Sequence, residues 1–176
     1  MIIYFLRHAS AGEPYVNPKK DEKRALDKDG IVQCGVVGRA LVALDASVDS
    51  IISSPLKRCV QTASLVGNEL GYEGKLQFSD ALRPGAPYAE FRRLIEKCAR
   101  QEAIMVCGHN PNLSEFLGKI ISEPGREASI EIKKGGVAKV ELGRNAGNLM
   151  WYVTPKALRA LYAAAADSSR PKTSRK

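Results

Sequence analysis

The chain opens Met1-Ile2-Ile3-Tyr4-Phe5-Leu6-Arg7-His8-Ala9, a continuous apolar run that stops abruptly at a cation and an imidazole. A short run of this kind, rich in β-branched and aromatic residues and closed by a polar signal, reads as a buried strand. The polar pair then emerges at the strand's carboxyl end, where open α/β sheets place their ligands. The same arrangement recurs at Ala103 to Cys107, followed by Gly108-His109-Asn110-Pro111, and at Val48 to Ile52, followed by Ser53-Ser54-Pro55-Leu56-Lys57-Arg58-Cys59-Val60-Gln61-Thr62-Ala63. Three strand ends thus converge on one place, and they bring both histidines of the chain and two of its arginines with them.

Outward from these strands, helical and extended patterns alternate. Val32, Val36, Val37, Ala40, Leu41 and Leu44 recur near helical spacing and predict a helix over Gly30 to Leu44; Leu56 to Leu70 predicts another, stopped by Gly71. A short strand at Lys75 to Phe78 precedes a loop from Leu82 to Pro87, and Phe91, Leu94, Ile95 and Cys98 mark one face of a helix over Tyr88 to Arg100. Asn112 to Ile121 reads as a helix started after Pro111. Two strands, about Gly136 to Leu142 and Asn148 to Val153, meet through the turn Arg144-Asn145-Ala146-Gly147, and a helix over Pro155 to Ala164 closes the chain. The expectation is an α/β fold, a three-layer α/β/α sandwich around a mixed, mostly parallel central sheet. It forms one domain over residues 1–164, followed by a basic, disordered tail over 165–176 without apolar anchors.

The length of 176 residues and the 44% hydrophobic content suit a single globular domain. No apolar stretch approaches the roughly 20 residues that cross a bilayer, and no signal-peptide pattern precedes the first strand, so a cytoplasmic location without membrane contact is expected. Cys34, Cys59, Cys98 and Cys107 lack CxxC spacing and lie in apolar or helical surroundings, which reads as buried free thiols. With two histidines and no carboxylate cluster beside them, neither a metal nor another cofactor is expected. The formal charge of +8 favours anionic partners. The basic residues are not interleaved with aromatics, which argues against nucleic acid.

Two arginines and two histidines suit metal-free phosphoryl transfer. Arg7 and Arg58 offer planar forks of charged donors, and the helix behind Pro55 adds its N-terminal N–H groups. A neutral imidazole nitrogen can attack phosphorus in line, and neighbouring cations disfavour its protonation. The residue types alone leave open which of His8 and His109 attacks. Ser53 and Ser54 read as turn formers and a helix cap, and the charged run Lys19 to Arg24 as a solvated loop.

Taken in order, Arg7-His8, the Ser53 to Ala63 segment and Gly108-His109-Asn110-Pro111 resemble the histidine phosphatase superfamily, with its phosphoglycerate mutase-like fold. The short length resembles the compact phosphohistidine phosphatases of the SixA type. Asp21-Glu22-Lys23-Arg24-Ala25-Leu26, with Gly30 behind it, is similar to that branch's D-x-x-R-x-L segment. The resemblance implies that His8 is the nucleophile and forms a covalent phosphohistidine. It implies that Arg7, Arg58 and His109 complete the catalytic set and bind the phosphoryl group or another anion. It also makes Arg24 a further phosphate contact, with Asp21 pairing with it or orienting another basic group. Many members carry a Glu soon after the third strand, where this chain reads Ala81-Leu82-Arg83-Pro84-Gly85. Glu90 and Glu13 are the remaining candidates for a general acid. A site without a strong acid suits phosphohistidine, whose leaving imidazole departs neutral, better than alkyl esters. The expected partner is a histidine-phosphorylated protein. The alternatives are a metal-independent phosphatase of small phosphoesters and a non-catalytic phosphoprotein-binding module.

Overall fold

The computed structural model describes residues 1–123, 125–126 and 128–168. Strands β1 (Ile2–Arg7), β2 (Ser50–Ser53), β3 (Gln77–Phe78), β4 (Ala103–Gly108), β5 (Val137–Glu141) and β6 (Asn148–Val153) form one sheet in the order β3-β2-β4-β1-β5-β6. β3, β2, β4 and β1 are mutually parallel; β5 runs antiparallel against β1, and β6 antiparallel against β5. The helices are α1 (Pro18–Glu22), α2 (Lys28–Ala43), α3 (Lys57–Glu69), α4 (Tyr88–Lys97), α5 (Asn112–Ile120) and α6 (Pro155–Ser168), with a single 3₁₀ turn at Asp80–Leu82.

Strand side chains alternate between two faces, and each face carries its own core. Ile3 and Phe5 of β1, with Ile52, Ile104, Val106 and Val140, pack against Phe91 and Ile95 of α4 and Phe116 and Leu117 of α5. Phe91 and Phe116 stack with ring centroids 4.7 Å apart. Tyr4 and Leu6, with Ile51, Met105 and Val137, pack on the other side against Val37 and Leu41 of α2, Ala63 and Val66 of α3 and Leu158 of α6. The result is the three-layer sandwich with a mixed, mostly parallel sheet that the alternation of elements implies.

Some boundaries differ from the sequence reading. The run Lys19 to Arg24 is not a loop through its length. Pro18–Glu22 is a helix because the Asn17 side chain accepts from Lys19 N (3.0 Å) and Lys20 N (3.3 Å), and Pro18 supplies a preset first residue. α2 begins at Lys28 rather than Gly30, since Asp27 is the cap and takes the Gly30 N–H at 2.7 Å. α4 stops at Lys97, short of Arg100. α6 runs to Ser168, beyond the Ala164 end expected, so residues 165–168 are helical and do not begin a tail. The remainder of the expected tail, 169–176, lies outside the described residues. Among the described residues no helix is long and apolar enough to cross a membrane.

Candidate active site

Register sets the site. β1 and β4 pair from Ile2↔Ala103 to Arg7↔Gly108, so His8 and His109, each one residue past the last pair, leave the sheet side by side. Their ring centroids lie 5.1 Å apart, and both side chains are buried. The backbone continues the ladder across them: His8 N donates to Gly108 O (3.1 Å) and Gly135 N to His8 O (3.1 Å). Leu113 N returns to His109 O at 2.8 Å, which ties His109 to the first turn of α5.

His8 Nδ1 lies 2.8 Å from the Ala9 carbonyl. A carbonyl only accepts, so Nδ1 carries the proton and Nε2 keeps a free lone pair. Burial pushes the His8 pKa down to about 3; the Ala9 bond opposes that shift, and the charges of Arg58, Arg7 and Arg24 add to it. Burial, followed by the charges of His8, Arg58 and Arg24, lowers His109 to about 2. Both imidazoles are therefore neutral across the physiological range, as a nitrogen nucleophile requires.

The arginines arrive from separate elements. Arg7 ends β1 and donates from Nη1 to Ile132 O at 2.8 Å. Arg58, in the first turn of α3, is 4% exposed and donates from Nη1 to Asp21 O (2.9 Å), with Asp21 Oδ2 at 3.1 Å. Arg24 follows α1, bonds Asp21 Oδ1 through Nε at 2.7 Å and reaches Ala11 O (2.9 Å) and Gly12 O (3.1 Å) through Nη1. Asp21 therefore both pairs with Arg24 and orients Arg58. The Arg24 hydrogen bond, foremost, holds the Asp21 carboxyl below its ordinary range. The Nε–H groups of Arg7 and Arg58 are buried and have no partner within the described residues. They are charged donors that an anion beside the imidazoles would satisfy.

Several residues that the sequence reading did not place in the site build this pocket. Ser54 is fully buried, and its Oγ lies 2.9 Å from His109 Nε2; it therefore does not cap α3, whose cap is Leu56. Cys59 Sγ lies 3.3 Å from the same nitrogen. All four cysteines are free and buried, in keeping with the thiol reading. Thr62 Oγ1 accepts from Ala9 N (3.1 Å) and donates to Arg58 O (2.7 Å), and Gln61 Oε1 accepts from Leu26 N (2.8 Å). Asp27 fastens the loop after β1 by accepting from Ser10 Oγ (2.7 Å) and Gly12 N (2.8 Å). The sequence signal for Ser54, Cys59, Gln61 and Thr62 was their position within the Ser53 to Ala63 segment, and Asp27 lies just past the quoted Asp21 to Leu26 segment.

The two candidate acids stand apart from this network. Glu90 is exposed in the first turn of α4 and Glu13 is exposed after Gly12; neither carboxylate has a hydrogen bond or ion pair among the described residues. Among those residues no group of three or more His, Cys, Asp or Glu is placed to hold a metal ion.

A buried imidazole pair with guanidiniums beside it, at the carboxyl ends of parallel strands, is a site with the charge to hold an anion. The family model of the histidine phosphatase superfamily (branch 1) matches residues 3–84, a span that includes Arg7, His8, Arg24 and Arg58. That span is just under half of the chain, and over it the chain is similar to the histidine phosphatase superfamily. A relative from Picosynechococcus sp., itself uncharacterized, is 29% identical over 147 residues, which is 81% of this chain and 86% of the relative. The solved structure of the protein histidine phosphatase SixA complexed with tungstate matches with a TM-score of 0.78 at 19% identity, covering 90% of this chain and 99% of that one. A candidate SixA phosphohistidine phosphatase from Agrobacterium tumefaciens matches at 0.74 and 22% identity, covering 88% and 97%. At these identities the structural likeness establishes the fold.

Proposed function

We propose that this chain is a histidine phosphatase that removes phosphate from histidine-phosphorylated proteins through a covalent phosphohistidine at His8. The observation that carries the reading is the Ala9 carbonyl on Nδ1 of His8. The Nε2 lone pair attacks phosphorus as the P–N bond to the substrate imidazole breaks, and that ring, protonated on its far nitrogen, leaves neutral. Arg7, Arg58, His109 and Arg24 serve the phosphoryl oxygens as charge redistributes. In the second step water attacks phosphorus and the P–Nε2 bond breaks. His8 departs as a neutral imidazole, because its proton has stayed on Nδ1, donated to the Ala9 carbonyl, throughout. Both protons of the water leave with the inorganic phosphate, as dihydrogen phosphate.

The substrate class follows from the carboxylates. Asp21, the acid among the arginines, is bound to two guanidiniums and held ionised, which makes it a poor proton donor. An alkoxide needs such a donor and a protonated imidazole does not. Phosphohistidine proteins should therefore turn over far faster than alkyl phosphate monoesters, and aryl phosphates should show a steep dependence on leaving-group pKa. A flat dependence, with ester turnover lost in Glu90→Gln or Glu13→Gln, would replace this reading with a small-phosphoester phosphatase. Acid-labile label from substrate should appear on His8; label confined to His109 would reverse the roles. Activity should survive EDTA, because the arginines already supply the positive charge.

A further inference from the structure

The mouth of the site carries cations that the chemistry above does not use. Lys19, Lys20 and Lys23 line α1 and its end, on the element whose Asp21 holds Arg58. Lys57 opens α3 next to Arg58, and Lys134 precedes Gly135, whose N–H binds the His8 carbonyl. All five are exposed, and none makes an ion pair among the described residues. The acids at this end are occupied. Asp21 serves two arginines; Asp27 takes the Ser10, Gly12 and Gly30 donors; Glu22 and Asp80 both bind Arg83, at 2.9 and 2.6 Å; Glu131 binds Lys133. Among the described residues Glu13, in the loop ahead of α1, is without a partner, as is Glu90 in the first turn of α4. Beside these lysines, Tyr15 and Val16 in the loop ahead of α1 stand 56% and 102% exposed, apolar surface with no neighbour among the described residues to cover it.

Free positive charge around an anion pocket, with an apolar knob at its rim, is complementary to a folded protein or peptide that presents its phosphoryl group among carboxylates. We propose that this rim is the docking surface for an acidic protein face, and that Lys19, Lys20, Lys23, Lys57 and Lys134 select phosphorylated partners by the charge flanking the modified residue. The inference rests on the phosphatase reading but not on which amino acid bears the phosphate. A strand of nucleic acid is the less suitable polyanion, since Tyr15 is the one exposed aromatic ring among these rim residues on which a base could stack.

The test uses peptides carrying phosphonomethyl-phenylalanine, a phosphoryl mimic that cannot be hydrolysed, flanked by Glu, Gln or Lys. Dissociation constants for the full chain should fall in the order Lys, Gln, Glu. The Glu-flanked peptide should bind at least about tenfold tighter than the Lys-flanked one at low salt, with the difference collapsing at high salt. The combined variant Lys19→Glu, Lys20→Glu, Lys57→Glu, Lys134→Glu should reverse the order while hydrolysing nitrophenyl phosphate at near wild-type kcat. Equal affinities for the three peptides, or an order unmoved by the variant, would overturn the proposal. So would a 20-nucleotide oligodeoxynucleotide that outcompetes the Glu-flanked peptide, which would make the rim a nucleic-acid surface. If the affinity order holds but phosphohistidine proteins are not turned over, the phosphohistidine reading falls and the rim stands.

Discussion

His8 and His109 hold their protons far more weakly when folded than a free imidazole does, with pKa values of about 3 and about 2 against an ordinary 6.5. As pH falls through about 6.5, the unfolded chain takes up protons on both rings that the folded chain refuses, so stability is lost on acidification and recovered on return to neutrality. The slope should approach about 1.4 kcal/mol per pH unit for each histidine. Urea midpoints measured from about pH 7 to 5, above most carboxylate titrations, should show it, and His109→Asn should remove about half. A slope that persists unchanged in the variant would mean that His109 titrates normally. Arg58→Ala should lower kcat/KM on the order of 10² or more, the scale of a lost electrostatic donor, with the fold retained by circular dichroism. Ser54→Ala leaves His109 Nε2 without its hydroxyl partner and should cost about 1–3 kcal/mol of stability, together with a loss of turnover that Ser54→Thr partly restores.

At the scale of elements, α2 presses on the loop that follows β1. A Cβ on Gly30 would sit 2.0 Å from the Ser10 carbonyl oxygen, so Gly30→Ala must push back the segment whose Ala11 and Gly12 carbonyls hold Arg24. It should destabilise by about 1–3 kcal/mol, as overpacking does, and lower kcat/KM although residue 30 touches no phosphate. Unchanged kinetics with lowered stability would separate Arg24's position from that loop. The same elements show what the sequence made legible. Strands β1 and β4 are apolar runs ended by His8 and His109, so their place and their meeting point were readable from residue type and period. Helix α1 was not, because its stability comes from one Asn17 cap and from Asp21 contacts to Arg24 and Arg58, 3 and 37 residues away. Ser54 was misread for a related reason. A serine before a helix usually caps it, and only the fold brings His109 within its reach. The ends of α4 and α6 depend on how packing competes with fraying, which local pattern does not encode.

In the whole molecule the strands carrying the two histidines are the two innermost of six, bonded to each other along their full length and covered by helices on both faces. Arg24 and Asp21, by contrast, belong to the short surface helix α1 and its end, with no buried residue in the helix itself. Local opening draws on the weakly buried parts of a fold first. Amide exchange should therefore be fastest over residues 15–24 and slowest over β1 and β4, a ranking that hydrogen-exchange mass spectrometry reads directly. Heating should release α1, and with it the clasp on Arg58, before the sheet melts, so that activity declines a few degrees below the calorimetric transition and returns fully on cooling. Inactivation that coincides with the transition would mean that α1 and the sheet open as one unit. The backbones that present the two imidazoles can be separated only by breaking the central ladder. A protein whose His8 and His109 backbones have parted has lost its central sheet, and any heat-stable remnant of activity reports that sheet intact.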